Sequence, residues 1–160
     1  MALQTSDRTK VERKTDRELV VTRLFDAAPR IVFKAWSNAE LFRKWWVPKG
    51  AGITLLNCEM DVRTGGKYKL EFAHGDGSMA FYGKYLDVTP NERIVWTNDE
   101  GDEEGAVTTV TFEDKGGKTL LTFHELYPSK QALDEAMEGS AAGLPTQLDQ
   151  LDELLPTIGG

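Results

Sequence analysis

The sequence predicts an α+β fold: a curved antiparallel sheet of about six or seven strands, two short helices near its start, and a long C-terminal helix over an apolar cavity. Three observations predict it. Between Arg17 and Leu126, apolar and β-branched residues gather in short runs, several of them alternating with polar residues, separated by Gly, Pro and Asn turn signals. Those runs follow one another through short turns, which gives a meander rather than a parallel βαβ sheet. From Leu133 to Leu155, apolar residues recur at steps of three and four, the spacing of one helix face.

The elements follow in chain order. Residues 1–16 lack apolar periodicity and are expected to be a flexible polar tail, with 17–160 forming a single domain; 160 residues fit one domain. Leu19, Val21 and Phe25 share one parity in a β-branched run, which is a strand. Ala27-Ala28-Pro29 ends it, and Pro29 opens a helix to about Trp36, because proline is tolerated at the first helical position. Ser37-Asn38-Ala39-Glu40 reads as a capping box that starts a second helix to about Trp46, closed by Pro48 and Gly50.

Strands are then expected at 53–62, 67–72, 79–88, 93–98, 105–113 and 118–126, with turns at Gly65-Gly66, Asp76-Gly77, Pro90-Asn91 and Lys115-Gly116-Gly117. In the second of these, Tyr68, Leu70 and Phe72 face one way and Lys67, Lys69 and Glu71 the other. One buried and one wet face is the mark of an antiparallel sheet. Ser129 is a plausible N-cap for the last helix. Leu133, Met137, Ala141, Leu144, Leu148, Leu151 and Leu155 form its stripe, opposite Asp134, Glu135, Glu138, Asp149, Asp152 and Glu153. Pro145 interrupts this pattern and removes a hydrogen bond. Because the stripe keeps phase through it, one long kinked helix is expected rather than two.

Composition narrows the function classes. A net charge of −7 argues against nucleic acid or an anionic membrane as partner. Its distribution is uneven. Arg8, Lys10, Arg13, Lys14 and Arg17 crowd the start, and Asp99 to Glu104 form an acidic loop; both read as solvated. Cys58 is the only cysteine, so no internal disulfide can form, and a reducing compartment fits. No apolar run approaches the roughly 20 residues of a membrane span. Met1 to Thr9 lacks the apolar stretch of a signal peptide, so a cytoplasmic protein is expected.

No strong catalytic constellation is present. His74 and His124 lack a second His or a Cys at metal-ligand spacing, and neither a metal nor a cofactor is expected. Gly65-Gly66 and Gly116-Gly117 are turn glycines rather than phosphate cradles. His124 and Glu125 are neighbours on the last strand, so only one can face inward. Leu121 and Phe123 share parity with Glu125, and Leu120 and Leu126 with His124, so the pattern leaves the choice open.

The aromatic residues are more informative. Phe33, Trp36, Phe42, Trp45 and Trp46 crowd the two short helices, and Tyr68, Phe72, Phe81, Tyr85, Trp96 and Phe123 lie on strands. A curved sheet with a helix across it leaves space lined by such residues with a few polar tips. The candidate lining is Phe33, Trp36, Trp45, Trp46, Tyr68, Phe72, Phe81, Tyr85, Trp96 and Phe123, closed by Met137, Leu144 and Leu148 from the last helix. Tyr68, Tyr85 and Tyr127 are candidate polar tips.

The order strand, two short helices, meander and long helix is similar to the helix-grip fold of START-like and pollen-allergen-like proteins, the SRPBCC superfamily. Specific stretches narrow this further. They are Phe33-Lys34-Ala35-Trp36, then Leu41-Phe42-Arg43-Lys44-Trp45-Trp46-Val47-Pro48-Lys49-Gly50, then Asp61-Val62-Arg63-Thr64-Gly65-Gly66, then the run from Gly83 to Val95. From about Arg17 to Leu155 the chain resembles the family called activator of heat-shock-protein-90 ATPase homologue-like. That resemblance implies a fold and a cavity rather than a reaction. The family is named for a eukaryotic co-chaperone in which this domain is the C-terminal part; the other part is not expected here, where only a short polar tail precedes the first strand. At Gly143-Leu144-Pro145 this chain has leucine where many members carry a larger residue.

Three readings of function follow. The first is a binding module for a small hydrophobic or amphipathic ligand. The second is a cyclase- or dehydratase-type enzyme using His124, Glu125, Tyr68 or Tyr85. The third is a chaperone accessory with a stress-response role, contacting its partner through the acidic loop and the acidic helix face. A monomer or homodimer is expected.

Overall fold

The computed structural model describes residues 9–47, 53–74, 76–98, 105–138 and 144–158. The strands are β1 (Thr9–Arg13), β2 (Glu18–Phe25), β3 (Ile53–Met60), β4 (Lys67–His74), β5 (Gly77–Thr89), β6 (Arg93–Thr97), β7 (Val107–Asp114) and β8 (Thr119–Leu126). The helices are α1 (Pro29–Ser37), α2 (Ala39–Trp45), α3 (Lys130–Glu138) and α4 (Leu144–Leu154), with a 3₁₀ turn over Leu155–Thr157. One antiparallel sheet holds all eight strands in the order β1-β2-β8-β7-β6-β5-β4-β3. The meander from β3 to β8 is as expected, and the connection through α1 and α2 carries the chain from β2 to the far edge.

The eighth strand is β1, which falls in the expected tail. Its pairing with β2 runs from Thr9↔Arg23 to Arg13↔Leu19. Thr9 and Val11 turn inward and are buried, whereas Lys10 and Glu12 stay exposed. A five-residue edge strand with charges on its open side suits a sheet edge, and its single clearly apolar residue gives little periodicity to read.

Local chemistry sets the helix ends. Pro29 is the first residue of α1. The expected capping box at Ser37 does not form, because α1 continues through Ser37. Asn38 takes the cap instead, with extended φ of −104° and ψ of 118° and a side chain that accepts from the Leu41 N–H at 3.2 Å. Ser129 Oγ accepts from the Ala132 N–H at 3.1 Å and caps α3 as expected. In place of one continuous helix, the described residues give two helical segments, 130–138 and 144–154. The junction at 139–143 lies outside the described residues. Pro145 stands in the first turn of α4, where its missing N–H would have had no helical partner in any case.

The core fills the concave, helix-facing side of the sheet. Leu19, Val21 and Phe25 of β2, Leu121 and Phe123 of β8, Val110 and Phe112 of β7, and Ile94 of β6 are buried there. Leu144, Leu148, Leu151 and Leu155 press onto them from above, which bears out the leucine stripe. Trp36 is the hub. Its ring centroid lies 4.7 Å from Trp45, 6.0 Å from Trp46, 5.9 Å from Trp96 and 6.3 Å from Phe123, within the range of favourable aromatic pairing.

Candidate functional site

Strand register lays out the inner face. Tyr85, Trp96, Thr108, Glu125, Leu19 and Arg13 form one row across β5, β6, β7, β8, β2 and β1. Tyr68 stands beside Tyr85 with ring centroids 5.7 Å apart, and Phe72 packs edge-on to Phe81 at 5.5 Å. Phe33 meets Phe112 at 5.5 Å. The candidate residues thus form a tryptophan-centred group under α1 and α2, joined through Trp96 to a tyrosine group on β4 and β5. Burial divides them. Trp36, Trp45, Phe72, Tyr85, Phe123, Leu144 and Leu148 are buried, whereas Phe33, Trp46, Tyr68, Phe81, Trp96 and Met137 are only half-buried.

Gly83 shapes this wall. It sits opposite Tyr68 on β4, and a Cβ there would stand 2.0 Å from the Thr97 carbonyl oxygen. The bare glycine lets Thr97 approach, and the same carbonyl accepts from the Tyr68 hydroxyl at 2.7 Å.

Polar groups cluster along the same face. The register resolves the choice left open at His124 and Glu125: Glu125 shares the inner face with buried Leu121 and Phe123. Thr108 Oγ1 donates to Glu125 Oε2 at 2.8 Å, and the Tyr127 hydroxyl donates to Glu125 Oε1. Asn98 Nδ2 donates to Thr108 Oγ1 at 3.2 Å and to the Ala106 carbonyl at 2.8 Å. Burial, with Glu125 beside it, pushes the Tyr127 phenol far above its ordinary range. His124 lies on the outer face, 2.9 Å from Glu18 Oε2. Of the four candidate acid–base groups, His124 therefore faces away from the helices, and Tyr68 and Glu125 are held by structural hydrogen bonds. Tyr85 is 5% exposed and makes no side-chain hydrogen bond among the described residues. Burial pushes its phenol well above the usual value, so the hydroxyl keeps its proton.

Two anchoring devices escaped the sequence reading. Arg23, only 3% exposed, lies on the inner face and pairs with Asp149 and, at 3.3 Å, with Asp152 of α4. The amides of Gln147 and Gln150 donate to the last carbonyls of α2 and its exit: Gln147 to Trp46, and Gln150 to Trp45 and Val47, both at 2.8 Å. Those carbonyls have no partner within their own helix, so α4 supplies the cap. Arg23 had a legible signal, since it shares parity with Leu19, Val21 and Phe25. The glutamines had none, because their partners are backbone atoms about a hundred residues away.

Among the described residues, no group of three or more His, Cys, Asp or Glu is placed to hold a metal ion, and no helix is long and apolar enough to cross a membrane. The acidic loop Asp99 to Glu104, proposed as a partner contact, lies outside the described residues.

Comparison with solved structures supports the same architecture. A crystal structure from Rhodobacter sphaeroides superposes with a TM-score of 0.83 at 18% identity, covering 94% of this chain and 99% of that one. A solution structure from Staphylococcus epidermidis gives 0.76 at 26% identity, covering 94% and 96%. An uncharacterised protein from Rhizobium leguminosarum is 30% identical with a TM-score of 0.68, covering 88% and 95%. No curated protein matches. The family model described as "Activator of Hsp90 ATPase homolog 1-like protein" matches residues 26–156. That span runs from the end of β2 to the 3₁₀ turn after α4, and on this ground the chain belongs to that family.

Proposed function

We propose that this protein binds a small hydrophobic or amphipathic molecule between the sheet and the segments α1, α2 and α4. One observation carries the reading. Trp46, Trp96, Tyr68, Phe81 and Phe33 belong to the inner aromatic assembly yet remain half-buried. Large aromatic side chains that point inward and still keep accessible surface mark incomplete packing, the setting in which apolar ligands bind. The polar cluster around Glu125 and Tyr127 adds a few fixed hydrogen-bonding groups at one end of that surface.

Thermal unfolding in the presence of a panel of lipids and aromatic metabolites tests this. A binder present at about 100 times its Kd should stabilise the protein by about 2.7 kcal/mol and raise Tm accordingly. Replacing Trp96 with alanine should weaken the same compound. A panel in which no compound moves the transition counts decisively against a ligand-binding role.

A further inference from the structure

The polar groups on the inner face are unbalanced in a way that specifies the ligand, given the binding role proposed above. Acceptors there are already engaged. Glu125 accepts from Thr108 and Tyr127, the Thr97 carbonyl from Tyr68, the Ala106 carbonyl from Asn98, and the Ala35 carbonyl from the Trp45 indole at 3.0 Å. Donors are left over. Among the described residues, the buried side-chain polar atoms without a partner are Trp36 Nε1 and Arg23 Nε, and both are donors. Among the described residues the Tyr85 side chain, 5% exposed, also makes no hydrogen bond. A buried tyrosine or tryptophan ordinarily finds a hydrogen-bond partner, and leaving one unmade costs about 1–3 kcal/mol.

Two of these donors flank one aromatic surface. The Trp36 ring lies 5.9 Å from Trp96, and Tyr85 stands directly opposite Trp96 in the β5–β6 register. A neutral phenol and an indole N–H donate readily. Neither carries the positive charge needed to offset a desolvated anion. The arginines that the register places on this face are already met by carboxylates, Arg23 by Asp149 and Asp152 and Arg13 by Asp134. An ammonium group offers no lone pair to the Trp36 indole N–H, which only donates, and would leave that donor unmet.

From this we infer that the ligand is an uncharged, largely apolar molecule carrying a hydrogen-bond acceptor such as a carbonyl oxygen, and that Tyr85 is the residue that selects for it. Trp96 provides the flat apolar surface beside the acceptor. The Tyr85 hydroxyl donates to that oxygen, and an isostere without it forgoes this bond.

Calorimetric titration with three probes of similar size tests the inference: benzophenone, diphenylmethane and diphenylacetate. Benzophenone should bind roughly five- to tenfold more tightly than diphenylmethane, the worth of one neutral hydrogen bond, and diphenylacetate should be the weakest. Tyr85→Phe should abolish the ketone's advantage while leaving diphenylmethane affinity unchanged, which also reports that the variant is folded. Equal affinities for ketone and hydrocarbon in the unaltered protein overturn the acceptor inference alone, as does a ketone preference that survives Tyr85→Phe. If none of the three binds, the ligand-binding reading beneath it falls as well.

Discussion

The guanidinium of Arg23 sits among apolar side chains, with Phe25 5.2 Å from its centre, Thr9 Oγ1 3.0 Å away, and Asp149 and Asp152 reaching it from α4. The two sides of this pair are unequally placed. Arg23 is buried, whereas Asp149 is exposed and Asp152 half-buried. Removing the carboxylates leaves a cation without compensation in the interior; removing the cation leaves carboxylates that can turn to water. Asp149→Asn with Asp152→Asn should therefore cost about 3–5 kcal/mol in urea unfolding, the usual penalty for stranding a buried charge. Arg23→Met should cost clearly less. Equal losses would mean that shape rather than charge dominates the contact. The parity that Arg23 shares with Leu19, Val21 and Phe25 was enough to place it on the inner face, though the sequence reading did not draw on it. What it could not supply was the partner, because Asp149 and Asp152 look like members of a solvated helix face until α4 is laid across β2.

At the scale of elements, α3 is held to the edge strand by charge. Asp134 pairs with Lys130 one turn earlier at 3.0 Å and with Arg13 of β1 at 2.6 Å. The hydrogen bond from Lys130, then that from Arg13, holds the Asp134 carboxyl below the ordinary aspartate range. A depressed folded pKa means that the pair's stabilisation is complete above the unfolded value, about 3.9, and disappears as pH falls through the lower folded one. The contact between β1 and α3 should consequently loosen only below about pH 4. In an NMR pH titration, Arg13→Ala should move the Asp134 midpoint upward, and an unmoved midpoint would remove β1 from the interaction. The strands of the meander were legible because their alternation is strong. The edge strand was not, because Thr9, Val11 and Arg13 turn inward with only one clearly apolar residue among them. The candidate site was legible as a set of aromatic residues. Its polar half, Thr108 and Asn98 around Glu125, emerged only from cross-strand register, which adjacency in sequence does not encode.

For the molecule as a whole, β1 covers the open edge of β2 while its Arg13 ties down α3. Removing residues 1–13 should expose the backbone donors and acceptors of β2, lower the thermal midpoint, and promote association through the bared edge. Light scattering after size-exclusion chromatography, alongside thermal unfolding, would measure both effects. A truncated chain as stable and monodisperse as the full one would make β1 dispensable. A tail and an edge strand differ here in consequence as well as in description.

The sheet order has a further implication for the order of events during synthesis. Strand β2 lies between β1 and β8, with Glu18 opposite Leu126. A ribosome must therefore release almost the whole meander before the second strand meets its principal neighbour, and the glutamine caps on α2 arrive later still. Until then Leu19, Val21 and Phe25 lack both β8 beside them and the leucines of α4 across them. This apolar strand thus waits longest for its cover, and that interval is when association with other chains competes with folding.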